Sequence, residues 1–208
     1  MAHDHDHRDF QPDEEESLPD YGVAEIAVRE LLLEKGIFTA EEFRGALEGF
    51  DRAAPERGAK IVARAWTDAD FKARLMADGS KVVEEYGVNM DLTELYVVEN
   101  TPDVHNVIVC TLCSCYPKPL LGAPPDWYKS RNYRMRAVRE PRAVLAEFGT
   151  HLADDVQVRV HDSTADMRYI VLPMRPAGTE GMSAEELEGL VSRDCMIGTA
   201  VPGSPAKG

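Results

Sequence analysis

Residues 107–119 read VIVCTLCSCYPKP, a stretch that holds three of the chain's four cysteines within six positions. The β-branched residues before Cys110 predict a strand that ends at this cysteine. The prolines at positions 117 and 119 oppose a helix, so the residues between the cysteines must turn tightly and bring the three sulfurs to one side. We therefore predict a metal claw formed by Cys110, Cys113 and Cys115, which suits a soft or borderline ion.

Other uses of clustered cysteines fit this pattern less well. A structural zinc site normally has four ligands, and the fourth cysteine, Cys195, lies alone far along the chain. A thioredoxin-like dithiol would open a helix, which the two prolines oppose. Unligated cysteines are common in protein cores, but packing alone does not explain three within six residues. Cys195 itself is interpreted as a small buried hydrophobe, and His105 as a hydrogen-bonded strand histidine.

The rest of the chain divides into four predicted parts. These are a disordered acidic tail, a helical N-terminal arm, an α+β metal-binding catalytic domain and a flexible tail, at residues 1–18, 19–90, 91–200 and 201–208. The first tail alternates His3, His5 and His7 with aspartates, a composition that could hold a divalent ion weakly.

Local patterns predict the elements within the arm and the domain. In the arm, Gly36 is expected to end an amphipathic first helix, and Thr67 to cap a helix that ends at Gly79. In the domain, four strands are expected, at residues 95–100, 105–112, 155–163 and 167–175. A single helix, residues 141–148, is placed between the second and third strands. The proline-rich loop over 116–128 is expected to expose apolar groups to a partner.

Composition excludes several classes of protein. The chain has 208 residues, of which 44% are hydrophobic and 29% charged, so it can bury a core without disulfide bonds. No apolar run approaches the length of a membrane span, and the polar N-terminus does not resemble a signal peptide, which favours a cytoplasmic protein. A net charge of −14 argues against binding to nucleic acid or to an anionic membrane.

The segment VCTLCSCYP resembles the metal-binding motif of the nitrile hydratase α subunit family, which also includes the γ subunit of thiocyanate hydrolase. Further similar blocks occur in family order and extend the resemblance over residues 23–198; they include AWTDADFKARLMADG, YRMRAVREPRAVLAEFG and MRYIVLPMRPAGTEGMS. We therefore predict an α+β fold class, in which a helical N-terminal arm is followed by a layered α-β-β-α domain that carries the cysteine metal claw.

The resemblance implies a ligand set. Cys110 would be a thiolate, Cys113 a sulfinate and Cys115 a sulfenate, with the backbone nitrogens of Ser114 and Cys115 as further ligands and one position open. Such donors favour a trivalent low-spin ion, and oxidation of Cys113 and Cys115, the two sulfurs tied to catalysis, restores its Lewis acidity. Thr111 points to one cobalt (Co3+) per chain rather than iron, since family members with threonine there tend to hold cobalt.

The resemblance also implies a function and partners. Nitrile hydration to the amide is the first hypothesis, with a β-type nitrile hydratase subunit and a cobalt-insertion activator as partners. Thiocyanate hydrolysis is the alternative, because Lys118, the HDHDH start and the Asp194-Cys195 pair match the γ subunit of that enzyme. A non-catalytic metal-storage or redox module is a third hypothesis. Candidate pocket or supporting residues are Thr111, Tyr116, Lys118, Arg168 and Arg175.

Overall fold

A computed structural model of the chain describes residues 19–45, 55–90 and 92–204. The predicted acidic tail, with its three histidines, and residues 205–208 of the predicted C-terminal tail lie outside these ranges. Within them, no helix is both long and apolar enough to cross a membrane. The division into an arm and a domain at residues 90 and 91 stays a prediction.

The arm begins with helix α1, Pro19–Glu34. Gly36 ends it as predicted, with a φ of +64° and a hydrogen bond from its N–H to the carbonyl of Leu33. A second helical stretch, residues 40–45, starts with a capping box: the N–H of Glu42 donates to Thr39 Oγ1 at 3.1 Å, and that of Thr39 donates to Glu42 Oε2 at 2.7 Å. Much of the apolar surface of α1 is exposed, at Val23, Ile26, Val28 and Leu31.

Three further helices precede the strands, and they pack into the core. They are α2 (Pro55–Thr67), α3 (Ala69–Ala77) and α4 (Gly79–Glu84). The predicted cap at Thr67 is wrong: the Thr67 hydroxyl donates back to the carbonyl of Ala63, and the carboxylate of Asp68 caps α3 by accepting from Phe71 N–H at 2.9 Å. Asp78 then caps α4, so α3 ends before the predicted Gly79.

In the part of the chain that the structure describes, four strands form two parallel pairs. Strand β1 (Glu94–Glu99) pairs with β4 (Met167–Leu172), and β2 (Val104–Val109) pairs with β3 (Gln157–Asp162). Helices α3 and α4 pack on β1, while the two pairs of strands adjoin each other through β2 and β4. The predicted α+β fold class with α-β-β-α layering is confirmed. All four strands fall where the sequence predicts them, although β2 stops before Cys110.

Four helices, rather than the single predicted one, connect β2 to β3. They are α5 (Lys118–Leu121), α6 (Asp126–Lys129), α7 (Arg131–Arg139) and α8 (Pro141–Glu147). Proline in the first turn of α5 and the Ser130 cap of α7 explain why short helices form here. The expectation that the proline-rich loop exposes its apolar groups is wrong for Leu120, Leu121 and Tyr128, which are fully buried.

The C-terminal part adds α9 (Ala184–Glu188) and α10 (Arg193–Ile197), and α10 packs on β4. A buried polar network ties the end of α10 to β2: His105 Nε2 bonds the carbonyl of Gly198 at 2.7 Å, and His105 Nδ1 lies 3.3 Å from Asn100 Nδ2. His161 completes the network through Asn106 Oδ1, at 2.8 Å. His105 is thus a hydrogen-bonded strand residue, as predicted, and the network holds the strand that leads into the claw.

Candidate metal centre

The claw begins where β2 ends. Cys110 follows the strand directly and is fully buried, whereas Cys113 is exposed and Cys115 is half-buried. The Cys110 and Cys113 sulfurs are 3.4 Å apart, the Cys113 and Cys115 sulfurs are 3.2 Å apart, and all three lie within 4.8 Å of one another. The predicted convergence of the three sulfurs is therefore present.

Asp162 holds the start of the turn that carries the three cysteines, residues 110–115, which we call the claw turn. Its carboxylate accepts from the Thr111 N–H at 2.9 Å and from the Thr111 hydroxyl at 2.5 Å. Asp162 is the last residue of β3 and stands beside Val109 in the parallel pairing. The β2–β3 ladder therefore delivers a carboxylate to the first residue of the turn after Cys110.

Two residues that the sequence reasoning missed hold the other end of the turn. The hydroxyl of Tyr128, from α6, donates to the Cys115 carbonyl at 2.9 Å. Arg134, from α7, donates through Nη1 to the Cys113 carbonyl at 3.1 Å. Neither residue is close to the three cysteines in the sequence. The one available signal is that both belong to the polar segment YKSRNYR, residues 128–134, which follows the prolines.

The thiols of Cys113 and Cys115 have pKa values that are shifted in opposite directions. Hydrogen bonds with Cys115 and then with Cys110 are the main causes that lower the pKa of Cys113 to about 7, and the backbone N–H groups of Cys115 and Ser114 act in the same direction. Burial raises the pKa of Cys115, as does its hydrogen bond to Cys113, while the positive charge of Arg168 acts in the opposite direction. Negative charge therefore concentrates on the exposed sulfur.

The sulfur spacing fits a metal with right-angled ligands. Sulfurs about 2.3 Å from an ion lie about 3.3 Å apart at a right angle and about 3.8 Å apart at the tetrahedral angle. The two short separations, 3.4 and 3.2 Å, match the right angle. Among the described residues no His, Asp, Glu or fourth Cys joins the cluster. The donor set therefore suits an ion that completes its coordination with other atoms better than a tetrahedral zinc.

Three other candidate residues, Tyr116, Lys118 and Arg168, differ in their burial and in their contacts. Tyr116 is buried against the Tyr128 ring, with ring centres 5.1 Å apart, and its hydroxyl has no hydrogen-bond partner in the described part of the chain. Lys118 is exposed at the start of α5. Arg168 is half-buried and donates to the backbone carbonyls of the loop before β4.

Two residues have their contacts elsewhere. Arg175 donates to Thr179 Oγ1 at 2.9 Å and to the carbonyl of Trp66, and so braces the loop after β4 against α2. Cys195 is buried in the core, with its sulfur 3.2 Å from Ser192 Oγ, as expected for a small hydrophobe near a helix cap. The structure therefore groups Thr111 and Tyr116 with the claw turn and gives Arg175 a bracing role.

Known proteins are similar to this chain in sequence and in fold. A family model described as "Nitrile hydratase, alpha chain" matches residues 20–200. The low-molecular-weight cobalt-containing nitrile hydratase subunit alpha of Rhodococcus rhodochrous is 50% identical over 183 residues, which cover 87% of this chain and 88% of that protein. The thiocyanate hydrolase subunit gamma of Thiobacillus thioparus is 46% identical over 199 residues, which cover 90% and 82%.

A solved structure of a double mutant of the Fe-type nitrile hydratase from Comamonas testosteroni Ni1 is also similar. It superposes with a TM-score of 0.84 at 39% identity and covers 92% of this chain and 97% of that one. The similar proteins thus include cobalt-containing and iron-containing members. Overall similarity supports a metal at the claw without choosing between these two ions.

Proposed function

We propose, from the premise that this chain belongs to the nitrile hydratase alpha-chain family, that it is the metal-bearing α-type subunit of a nitrile hydratase that hydrates a nitrile to the amide. The observation that carries the proposal is the convergence of three sulfurs, two pairs of which have right-angle spacing, in a turn without a fourth side-chain ligand among the described residues. Similarity along nearly the whole chain supports it.

The proposed ligands are the three claw sulfurs and the backbone nitrogens of Ser114 and Cys115, around one Co3+ ion. When bound, this ion would supply Lewis acidity toward a nitrile or a water molecule. The cobalt assignment rests on Thr111 and on cobalt-containing relatives, with iron as the alternative.

The exposure of each sulfur supports the proposed oxidation pattern. Cys110 is fully buried, Cys115 is half-buried and Cys113 is exposed, in the order of the zero, one and two oxygen atoms proposed for them. Access to an external oxidant such as dioxygen governs which thiolates gain oxygen. Buried Cys110 would keep water from the inner side of the site, while Cys113 and Cys115 face the substrate side.

We also propose that a β-type subunit completes the site and that a cobalt-insertion activator loads it. Exposed apolar side chains on α1 support a partner, because an isolated chain gains nothing from presenting them to water. Reduced thiols are needed before metal uptake, which supports a cytoplasmic location.

Thiocyanate hydrolysis is the second candidate function. Lys118 is exposed directly after the claw turn, where its charge could attract an anion, and the thiocyanate hydrolase relative is nearly as similar as the cobalt nitrile hydratase relative. A cation beside the metal would favour thiocyanate over an apolar nitrile. Proposed roles for Tyr116 in lining the pocket and for Arg168 in balancing the charge on Cys115 are common to both activities.

One experiment separates these hypotheses. The chain is produced in cobalt-supplemented cells together with its β-type partner and activator, and is then assayed with a small nitrile and with thiocyanate. Amide formation supports nitrile hydration, whereas carbonyl sulfide and ammonia support thiocyanate hydrolysis. Bound cobalt with neither product would contradict both and leave a storage or redox module. Mass spectrometry of the claw peptide should find two added oxygens on Cys113, one on Cys115 and none on Cys110.

A further inference from the structure

We propose that Arg134 and Tyr128 are positioning residues for the two proposed nitrogen ligands: Arg134 fixes the peptide group that contains the Ser114 nitrogen, and Tyr128 fixes the peptide group that follows Cys115 and so limits the movement of Cys115. The inference rests on the proposed metal site. It starts from the two carbonyls of the claw turn that bond side chains of α6 and α7, those of Cys113 and Cys115.

The two donors are themselves held in place. Arg134 spans two carbonyls, since its Nε donates to Ser130 at 3.4 Å while Nη1 reaches Cys113. Ser130 is the cap of the same helix and accepts from the Tyr133 N–H at 3.1 Å, so the guanidinium is anchored at the rigid start of α7. Tyr128 is fully buried. Neither hydrogen bond requires a mobile side chain to be ordered when metal binds.

Peptide planarity carries the effect to the ligands. The carbonyl of Cys113 and the nitrogen of Ser114 belong to one planar group, so fixing the oxygen also fixes the direction of the nitrogen. The carbonyl of Cys115 closes the other side of the two-residue segment. The segment therefore has little rotational freedom to lose on binding an ion.

The two anchors differ in charge. A claw of thiolates and backbone nitrogens is anionic, and Arg134 brings a cation to the oxygen of the very peptide that contains one proposed nitrogen ligand. A cation on that oxygen draws electron density from the nitrogen, so Arg134 should also change the spectrum of a bound ion. Tyr128 donates a neutral hydrogen bond, and we expect it to affect affinity more than the spectrum.

The test is a titration of the full-length, reduced chain with Co2+ under anaerobic conditions, followed by the sulfur-to-cobalt absorption band. Supporting residues of metal sites are typically worth about 10- to 100-fold in affinity. We expect Arg134→Met to bind Co2+ about tenfold or more weakly, with a shifted band. Arg134→Lys should recover much of the affinity, and Tyr128→Phe should weaken binding with little band shift. Arg139→Met, on the exposed end of the same helix, is the matched control and should bind like the wild type.

The outcomes distinguish the two proposals. If the wild-type chain takes up no Co2+, either alone or together with the activator, the metal site is contradicted, and this inference is contradicted with it. If the wild type binds but Arg134→Met and Tyr128→Phe bind equally tightly with the same spectrum, only the positioning roles are overturned. Circular dichroism and a melting curve confirm that each variant is folded. Should Arg134→Met fail to fold, the comparison of Tyr128→Phe and Arg134→Lys with the wild type decides.

Discussion

The claw turn is held by Asp162, Tyr128 and Arg134 of the same chain, whereas α1 leaves Val23 66% and Leu31 48% exposed. A tight polar turn needs only a few directed hydrogen bonds, and the folded chain can supply them itself. An apolar helix face is stabilised by burial of its area, and the residues that the structure describes do not bury the apolar face of α1. The described residues thus fix the claw turn from within the chain, whereas they leave the apolar face of α1 exposed.

The largest expected effect tests whether the claw cysteines bind the metal. Cys113→Ala removes a central sulfur, and cobalt content should fall from about one ion per chain to nearly none, with loss of activity. Metal analysis and turnover of purified protein check this. Cys195→Ala is the matched control, because this core cysteine lies outside the cluster, and it should keep its metal. A Cys113→Ala variant with wild-type cobalt content and turnover would contradict the assignment of the claw as the metal site.

The next effect compares two glycines, one packed against β2 in the core and one at the end of α1. A Cβ at Gly198 would lie 2.0 Å from the Asn106 carbonyl oxygen, and φ there is +90°. Gly36 in the arm also has a positive φ, +64°, but nothing lies within 4 Å of such a Cβ. Gly198→Ala should destabilise the fold by about 3 kcal/mol or more, and Gly36→Ala by about 1 kcal/mol. Urea unfolding of both variants measures the difference, and equal losses would contradict this account of the two sites.

A smaller effect tests the arm side. Replacing Ile26 or Leu31 by Asp should weaken association with a β-type partner about tenfold, because each contributes about 1–2 kcal/mol of apolar burial. The melting temperature of the chain alone should hardly change, since both residues are exposed in it. Size-exclusion chromatography and titration with the partner give the measurement. Glu30→Gln on the same helix is the control, and unchanged affinity in both Asp variants would place the interface elsewhere.

The smallest expected effect is a pH dependence of the core. Burial lowers the pKa of His105 and of His161, so the folded state favours the neutral rings. The unfolded chain then binds more protons below its ordinary histidine pKa, about 6.5, and stability should decline as pH falls below that value. Urea midpoints between pH 7.5 and 5.5 should show this decline. His105→Gln should flatten it, while His151→Gln, at an exposed position, should not.

Much of the candidate site followed from local sequence. The cysteine spacing and the two prolines require a turn, and the alternation of β-branched residues places the strands, so the convergence of the sulfurs could be predicted. The contacts of Tyr128 and Arg134 could not, because they depend on how α6 and α7 fold back on the turn. The cap at Asp68 was missed for a different reason: Thr67 and Asp68 are both good cap residues, and only the end of α2 decides between them.

The parallel pairing of the strands has a consequence for the order in which the protein is made. The cysteines lie directly after β2, yet β3, which pairs with β2 and carries Asp162, is synthesised only after four further helices. The outer pair likewise joins β1 to β4, across most of the domain. While the segment between β2 and β3 is being translated, the nascent chain therefore carries three thiols whose turn is not yet held by Asp162. If the claw binds a metal as proposed, we expect uptake to follow translation, and we expect the thiols to need protection from oxidants until β3 has paired with β2.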